Sequence, residues 1–299
     1  MRQHISWAKS AGIDGFIVSW KDTPALDRRL ANLIKIADKE RFKLAIIYEG
    51  LDFERRPLAV GRVAADLDLF VRRYSRHRAF RIYSKPLVIW SGSWRFSRAD
   101  VTRVSREIRG HVLLLASEKN KFDYQRVADL VDGDAYYWSS VNPHRYQKYP
   151  QKLVDMGAAV HAHRGLWIAP AAPGFDARLI GGTSVVPRRD GQTLRDEMSG
   201  ALASSPDAIG LISWNEFSEN SHVEPSRNYG LRYLHVLADM RGTTVVPAIP
   251  DFNSDESPAR GTSYRSTVLG GLSAIAVVLL LATFLRRRST KARPRMREL

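Results

Sequence analysis

The chain has 299 residues, 44% of them hydrophobic, and a formal charge of +15. That is enough apolar material for one large α/β domain, and with no cysteine it excludes disulfide scaffolds, thiolate zinc sites and thiol nucleophiles. The charge is not a nucleic-acid signature: residues 286–299, "RRRSTKARPRMREL", carry seven Lys/Arg against one Glu, and the remainder is scattered in pairs such as Arg28/Arg29 and Arg72/Arg73, as on solvated helix faces.

The opening "MRQHISWAKSAG" reads as a helix, with neither a charged n-region nor an apolar h-region before it. Short apolar runs then alternate with amphipathic stretches. The runs are "GFIVSW" (15–20), "KLAIIYE" (43–49), "PLVIW" (86–90), "VLLLAS" (112–117), "DAYYWS" (134–139), "LWIAPAAPG" (166–174) and "AIGLISW" (208–214). They are β-branched or aromatic without polar alternation, as strands covered on both faces are. Between them, Leu26, Leu30, Leu33, Ile34 and Ala37 share one helical face, and so do Val63, Leu67, Phe70, Val71 and Tyr74. Thr23-Pro24 marks a helix entry, Thr193–Ala203 a further helix, and "YGLRYLHVLADMR" (229–241) the closing one.

Strict alternation of strand and helix predicts a parallel sheet. Seven strands behind an initial helix are the count of a (β/α)8 TIM barrel lacking its first strand. The doubly wound alternative calls for a Gly-rich phosphate turn after its first strand, where this chain has "SWKDTP". The barrel is assigned to residues 1–241. Residues 242–265, rich in Pro, Ser, Gly and Asp, read as a flexible stalk. Ser266–Leu285 is twenty residues without a charge, about 30 Å at helical rise, and reads as a transmembrane helix. Arg286–Arg288 follow at once, which places the basic tail 286–299 in the cytoplasm and the barrel outside. The expected location is therefore the cell membrane, single-pass. An outward-facing barrel requires an export signal, so either the protein is tail-anchored and cytoplasmic or its N-terminus is incomplete, and the strand count favours the second expectation.

Catalytic groups of such a barrel come from the C-terminal ends of its strands. Those ends carry Trp20, Tyr48, Glu49, Trp90, Trp94, Glu118, Tyr137, Trp138, Trp214, Asn215, Glu216 and Glu219. Aromatic platforms suit the C–H faces of sugar rings, and paired carboxyls suit cleavage of an acetal. Glu216 and Glu219, three apart, can share one face, and the proximity of like charges pushes one pKa up, giving a proton donor beside an acceptor. Glu224, before Pro225, is read as fixing the loop or a sugar hydroxyl. His144, His161, His163 and His222 follow no metal-ligand pattern, so neither metal nor cofactor is called for.

With those residues in view, the chain resembles the endo-α-mannosidase group, glycoside hydrolase family 99, and related barrel proteins found with bacterial polysaccharide genes. The resemblance is carried by "WAKSAGIDGFIVSW" (7–20), "IIYEG" (46–50), "AYYWSSVNP" (135–143), "WIAPAAPGFDAR" (167–178) and above all "SWNEFSENSHVEPS" (213–226). It implies an endo-acting, retaining hydrolase of α-linked mannosides with no metal in the chemical step. Glu216 is then the base that takes the sugar 2-hydroxyl proton, through an epoxide-like intermediate, and Glu219 the acid/base. Where the family has Trp-His-Glu-Gly, this chain has Phe217-Ser218-Glu219-Asn220, so an imidazole and a glycine beside the acid are replaced. Trp20, Tyr48, Glu49, Trp90, Tyr137, Trp138, Asn215 and Glu224 are the expected substrate contacts, with an oligo- or polysaccharide as partner. The second reading is a non-catalytic carbohydrate-binding or polysaccharide-assembly protein on the same barrel.

Overall fold

A computed structural model describes residues 1–242 and the backbone of 277–281. Helix α1 (Arg2–Ser10) leads into β1 (Gly15–Trp20), α2 (Pro24–Glu40), β2 (Lys43–Glu49), α3 (Val60–Arg73), β3 (Leu87–Ser91) and α4 (Arg98–Ile108). Then follow β4 (Leu113–Ala116), α5 (Lys121–Gln125), β5 (Gly133–Ala135), α6 (Tyr149–Ala162) and β6 (Leu166–Ala171). A two-stranded hairpin, β7 (Phe175–Asp176) and β8 (Val185–Val186), interrupts the alternation before α7 (Gln192–Ala203), β9 (Ala208–Leu211), α8 (Arg232–Met240) and β10 (Val277–Leu281). The seven strands expected from the sequence are β1–β6 and β9, and they pair in parallel.

Local chemistry explains the entries. Thr23 accepts from the backbone N–H of Leu26 at 3.3 Å with Pro24 as the first helical residue of α2, so one orphan donor is satisfied and one removed. Ser97 and Asp100 close a reciprocal capping box at the start of α4.

The sheet closes as a barrel in the order β1-β10-β9-β6-β5-β4-β3-β2. The position between β1 and β9 is held by β10, which runs antiparallel to both neighbours. This differs from the transmembrane helix expected over Ser266–Leu285, five of whose residues are strand here. The physical reason is that β1 and β9 would otherwise be open edges with unpaired N–H and C=O groups, and the Val-Val-Leu-Leu-Leu run is apolar and β-competent. Among the described residues, no helix is long and apolar enough to cross a membrane. The rest of that expected helix, the expected stalk beyond residue 242 and the basic tail lie outside the described residues.

The core has two layers. Ile17, Ala45, Ile47, Ile89, Leu115, Ala135, Ile168 and Ile212 fill the barrel interior, while the alternate residues of the same strands pack outward on the helices. That alternation decides which strand-end side chains reach the mouth.

Candidate active site

Glu49 ends β2 and pairs in register with Ser91 of β3; Tyr48, one residue earlier, pairs with Trp20 and Trp90. Strand side chains alternate, so these are two rows on opposite faces. The Ser19, Glu49 and Ser91 row faces inward. Ser19 Oγ donates to Glu49 Oε1 at 3.2 Å, and Ser91 also hydrogen-bonds this carboxyl. The Trp20, Tyr48 and Trp90 row is fully buried against the helices. Trp20 Nε1 donates to Asp27 at 3.0 Å, the Tyr48 hydroxyl donates to Asp66 at 3.0 Å, and Trp90 packs on Phe96. These three expected sugar platforms are therefore corrected to core residues. Position at a strand end is not enough; the parity of the strand turns them away.

Over the inward row opens a cavity of about 320 Å³ at the C-terminal mouth. Glu49, Ser91, Tyr137 and Glu219 are among its polar lining and Trp94, Trp138, Phe175 and Ile212 its apolar one, together with Arg55, Ser139 and Ser140. Tyr137 and Trp138, consecutive in sequence, both reach it because β5 ends at Ala135 and the chain beyond is no longer pleated. Trp94 and Trp138 meet with ring centroids 5.9 Å apart.

Glu219 is brought here by the loop after β9. Ser213 Oγ accepts from the backbone N–H of Glu216 at 2.8 Å, and Ser221 N–H returns to the Glu216 carbonyl at 3.2 Å, folding 213–221 into a compact turn. Asn220 takes a left-handed φ of 45° to close it. The N–H of Asp176, on the hairpin, donates to the Glu219 carbonyl at 2.7 Å. Burial pushes the Glu219 carboxyl up to about 7, helped by the Glu216 and Glu49 charges and opposed by Arg55. Glu216 is buried and its carboxylate accepts from Ser218 Oγ, one of the positions where the sequence departs from the family 99 pattern. Glu49 is also raised, by burial first, with Lys21, Ser19 and Ser91 acting against it. Burial and the three neighbouring glutamates hold Tyr137 firmly protonated.

Two expected contacts lie elsewhere. Glu224 is buried with its carboxylate 3.2 Å from His4 Nδ1, on the α1 side, and its N–H is held by the Trp214 carbonyl at 2.9 Å. It fixes the loop rather than lining the mouth. Asn215 lines a separate apolar hollow of about 280 Å³ between α1, α2 and Trp214.

One side chain that sequence reasoning missed ties the loop down. Arg188, after β8, is 7% exposed. Its Nε and Nη2 donate to the Asn220 carbonyl at 3.1 and 2.8 Å, and Nη2 to the His222 carbonyl at 2.8 Å, while the guanidinium stacks on Tyr229 and Tyr233 at 4.3 and 4.5 Å. Burial and Arg188 press His222 down to about 4, so the imidazole is neutral and accepts this cation as a neighbour. Nothing in the local sequence "VVPRRDG" marks Arg188 apart from Arg189. Ser19, Ser91 and Phe175 were findable, the serines by counting strand parity and Phe175 by its place inside "WIAPAAPGFDAR".

The carboxyls on the aromatic mouth of the barrel are Glu49 and Glu219, the latter raised to about 7, while Glu216 is buried near Glu219 without lining the cavity. Carboxyls so placed are the equipment of acetal cleavage. The sequence profile of glycosyl hydrolase family 71 matches residues 1–239. The chain belongs to glycosyl hydrolase family 71. It is a glycosidase. In fold it is similar to a GH99 endo-α-mannosidase from Bacteroides thetaiotaomicron, solved in complex with bis-tris-propane, with TM-score 0.68 and 19% identity over 81% of this chain and 84% of that one. A second structure of the Bacteroides thetaiotaomicron GH99 endo-α-mannosidase matches with the same score and identity and 79% of its chain covered. The expected family 99-like barrel is thereby borne out. No curated protein matches the chain.

Proposed function

We propose that this glycosidase is an endo-acting hydrolase of an α-linked, mannan-like polysaccharide, with Glu219 as general acid and Glu216 as the base toward the sugar 2-hydroxyl. The observation that carries this reading is Glu219 itself: a carboxyl raised to about 7, on the wall of a 320 Å³ cavity at the barrel mouth, with Glu216 close enough to help raise it. A proton held at neutral pH can be delivered to the leaving oxygen. Glu216, oriented by Ser213 and Ser218, is the acceptor for the hydroxyl proton. Glu49, Tyr137 and Trp138 then face the sugar, Trp138 as an apolar platform and the other two as hydrogen-bonding groups. The GH99 endo-α-mannosidase of the same fold supports the mannoside class.

The test is hydrolysis of α-mannan and α-glucan oligosaccharides by Glu219→Gln. Cleavage as fast as that by the unmodified enzyme would remove Glu219 from the chemistry. Binding of sugar by the unmodified chain, with no product over days, would support the binding-protein reading instead.

Location is a separate proposal: the barrel outside, the basic tail inside, the chain held at the cell membrane. Its support is the charge-free Ser266–Leu285 run followed by three arginines. Val277–Leu281 also pairs with β1 and β9, and one segment cannot serve both ends at once. Retention in the membrane pellet after an alkaline carbonate wash would favour the anchor, and release the strand.

A further inference from the structure

A second hollow, of about 230 Å³, adjoins the catalytic cavity and is lined by Leu51, Glu54, Arg55, Trp94, Arg95 and Lys119. It shares Arg55 and Trp94 with that cavity, so the two form one cleft. Its charge is lopsided. Glu54, the lone acid on its wall, already faces Arg56 at 2.7 Å. Among the described residues, none of Arg55, Arg95 and Lys119 makes an ion pair with a carboxylate, whereas Arg56, Arg62, Arg98, Arg109 and Arg126 all do.

Two of the three cations have a defined setting. Arg55 sits at the tip of a turn in which Asp52 Oδ1 accepts from the N–H groups of Glu54 and Arg56, both at 2.9 Å. That turn holds Arg55 at φ 63°, a left-handed conformation unfavourable for a side chain of its size. Its base is fixed by Gly50, where any Cβ would stand 2.5 Å from the Trp90 indole nitrogen. Lys119 Nζ hangs over the Trp94 and Trp138 rings at 5.0 and 5.5 Å. A partly exposed indole beside three cations, none of them in a direct ion pair among the described residues, has both elements of a charged-sugar site: a face for the pyranose and partners for an anion.

We propose that this hollow is a subsite for an anionic sugar residue, stacked on Trp94 with its carboxylate or phosphate held by Arg55, Arg95 and Lys119, so that the substrate is an acidic α-linked polysaccharide. The proposal rests on the glycosidase reading of the adjoining cavity and deepens it. Neighbouring sugars of the chain would lie across Trp138 toward Glu219.

The full-length chain carrying Glu219→Gln, which holds substrate without consuming it, is titrated calorimetrically with neutral α-mannan oligosaccharides. The same oligosaccharides oxidised at C6 to uronate, or phosphorylated at C6, are titrated in parallel. At low salt the matching charged form is expected to bind about tenfold more tightly than the neutral one. The advantage should vanish at about 0.5 M salt and on adding Arg95→Ala with Lys119→Ala, both exposed positions whose loss thermal melting will show to leave the fold intact. Which charged form gains tells a uronate from a phosphate. Equal affinity for neutral and charged forms, or an advantage that survives the double substitution, overturns the subsite alone. Binding of none of the three overturns the glycan-cleft reading and this proposal together.

Discussion

Glu219 and Glu118 are both pushed up to about 7 by burial, yet they belong to regions of opposite character. Glu219 lines an open cavity, with Glu216 and Glu49 for neighbours. Glu118 lies just past β4 with its side chain fully enclosed, accepting from Ser93 Oγ at 2.7 Å, with Arg126 3.7 Å away. Its N–H donates to Asp134 Oδ1 at 2.9 Å, and that carboxyl is fully buried and raised well above its ordinary value. The barrel thus carries two sets of perturbed carboxyls, one at the mouth and one sealed in its wall. Burial is the largest cause of the shift in both. Access to a substrate-sized space is what separates a candidate acid from a structural one.

The sharpest way to break this contrast is to neutralise each carboxyl in turn. Glu219→Gln should lower kcat by about 10²–10⁴, the contribution of a positioned general acid, while Glu118→Gln leaves kcat within about twofold. Comparable losses from both would mean that the sealed set also serves the chemistry. Next in size, Arg188→Ala leaves the Asn220 and His222 carbonyls and two tyrosine faces without their cation. A cost of about 3 kcal/mol is expected in denaturant unfolding, with kcat falling more than KM rises as Glu219 loses its loop, and Arg188→Lys recovering part of it.

The sealed set should declare itself in stability. Glu118 binds its proton more tightly folded than unfolded, so the stability it adds is complete below pH 4.5 and is lost as pH rises through about 7. Glu118→Gln should flatten that decline, by about 2 to 3 kcal/mol between pH 4.5 and 8, as followed by Tm. The smallest effect concerns the mouth. With Glu219 as the proposed acid, activity should fall as pH rises through about 7, and Arg55→Ala, which removes a charge that lowers Glu219, should move that limb to higher pH. A limb that stays in place would put Arg55 outside the reach of the acid.

Much of the scaffold was legible. The runs 15–20 and 43–49 are β1 and β2 to the residue, because both are continuous apolar stretches bounded by turn-forming residues. The cap at Thr23 was equally plain. The candidate site was legible in part: "SWNEFSENSHVEPS" carries Glu219 to the cavity at the mouth, and Glu49, Tyr137 and Trp138 line the same cavity. Trp20, Tyr48 and Trp90 were misread because a run buried on both faces shows no polar alternation to reveal which side is inward. Glu224 sits in the same loop as Glu219, but the turn closed by Asn220 sends it to His4.

By itself, then, the sequence determined the alternation of strands and helices, the parallel sheet and the acidic loop after the last parallel strand. These follow from periodicity and turn chemistry, which act over a few residues. Only the tertiary structure decided which member of each strand-end pair faces the cavity, and that Arg188 clamps the loop from 32 positions before Asn220. It also decided that Val277–Leu281 fills the gap between β1 and β9. Those outcomes depend on closing the barrel, where the pairing of one strand fixes the facing of the next and distant segments satisfy each other's backbone groups.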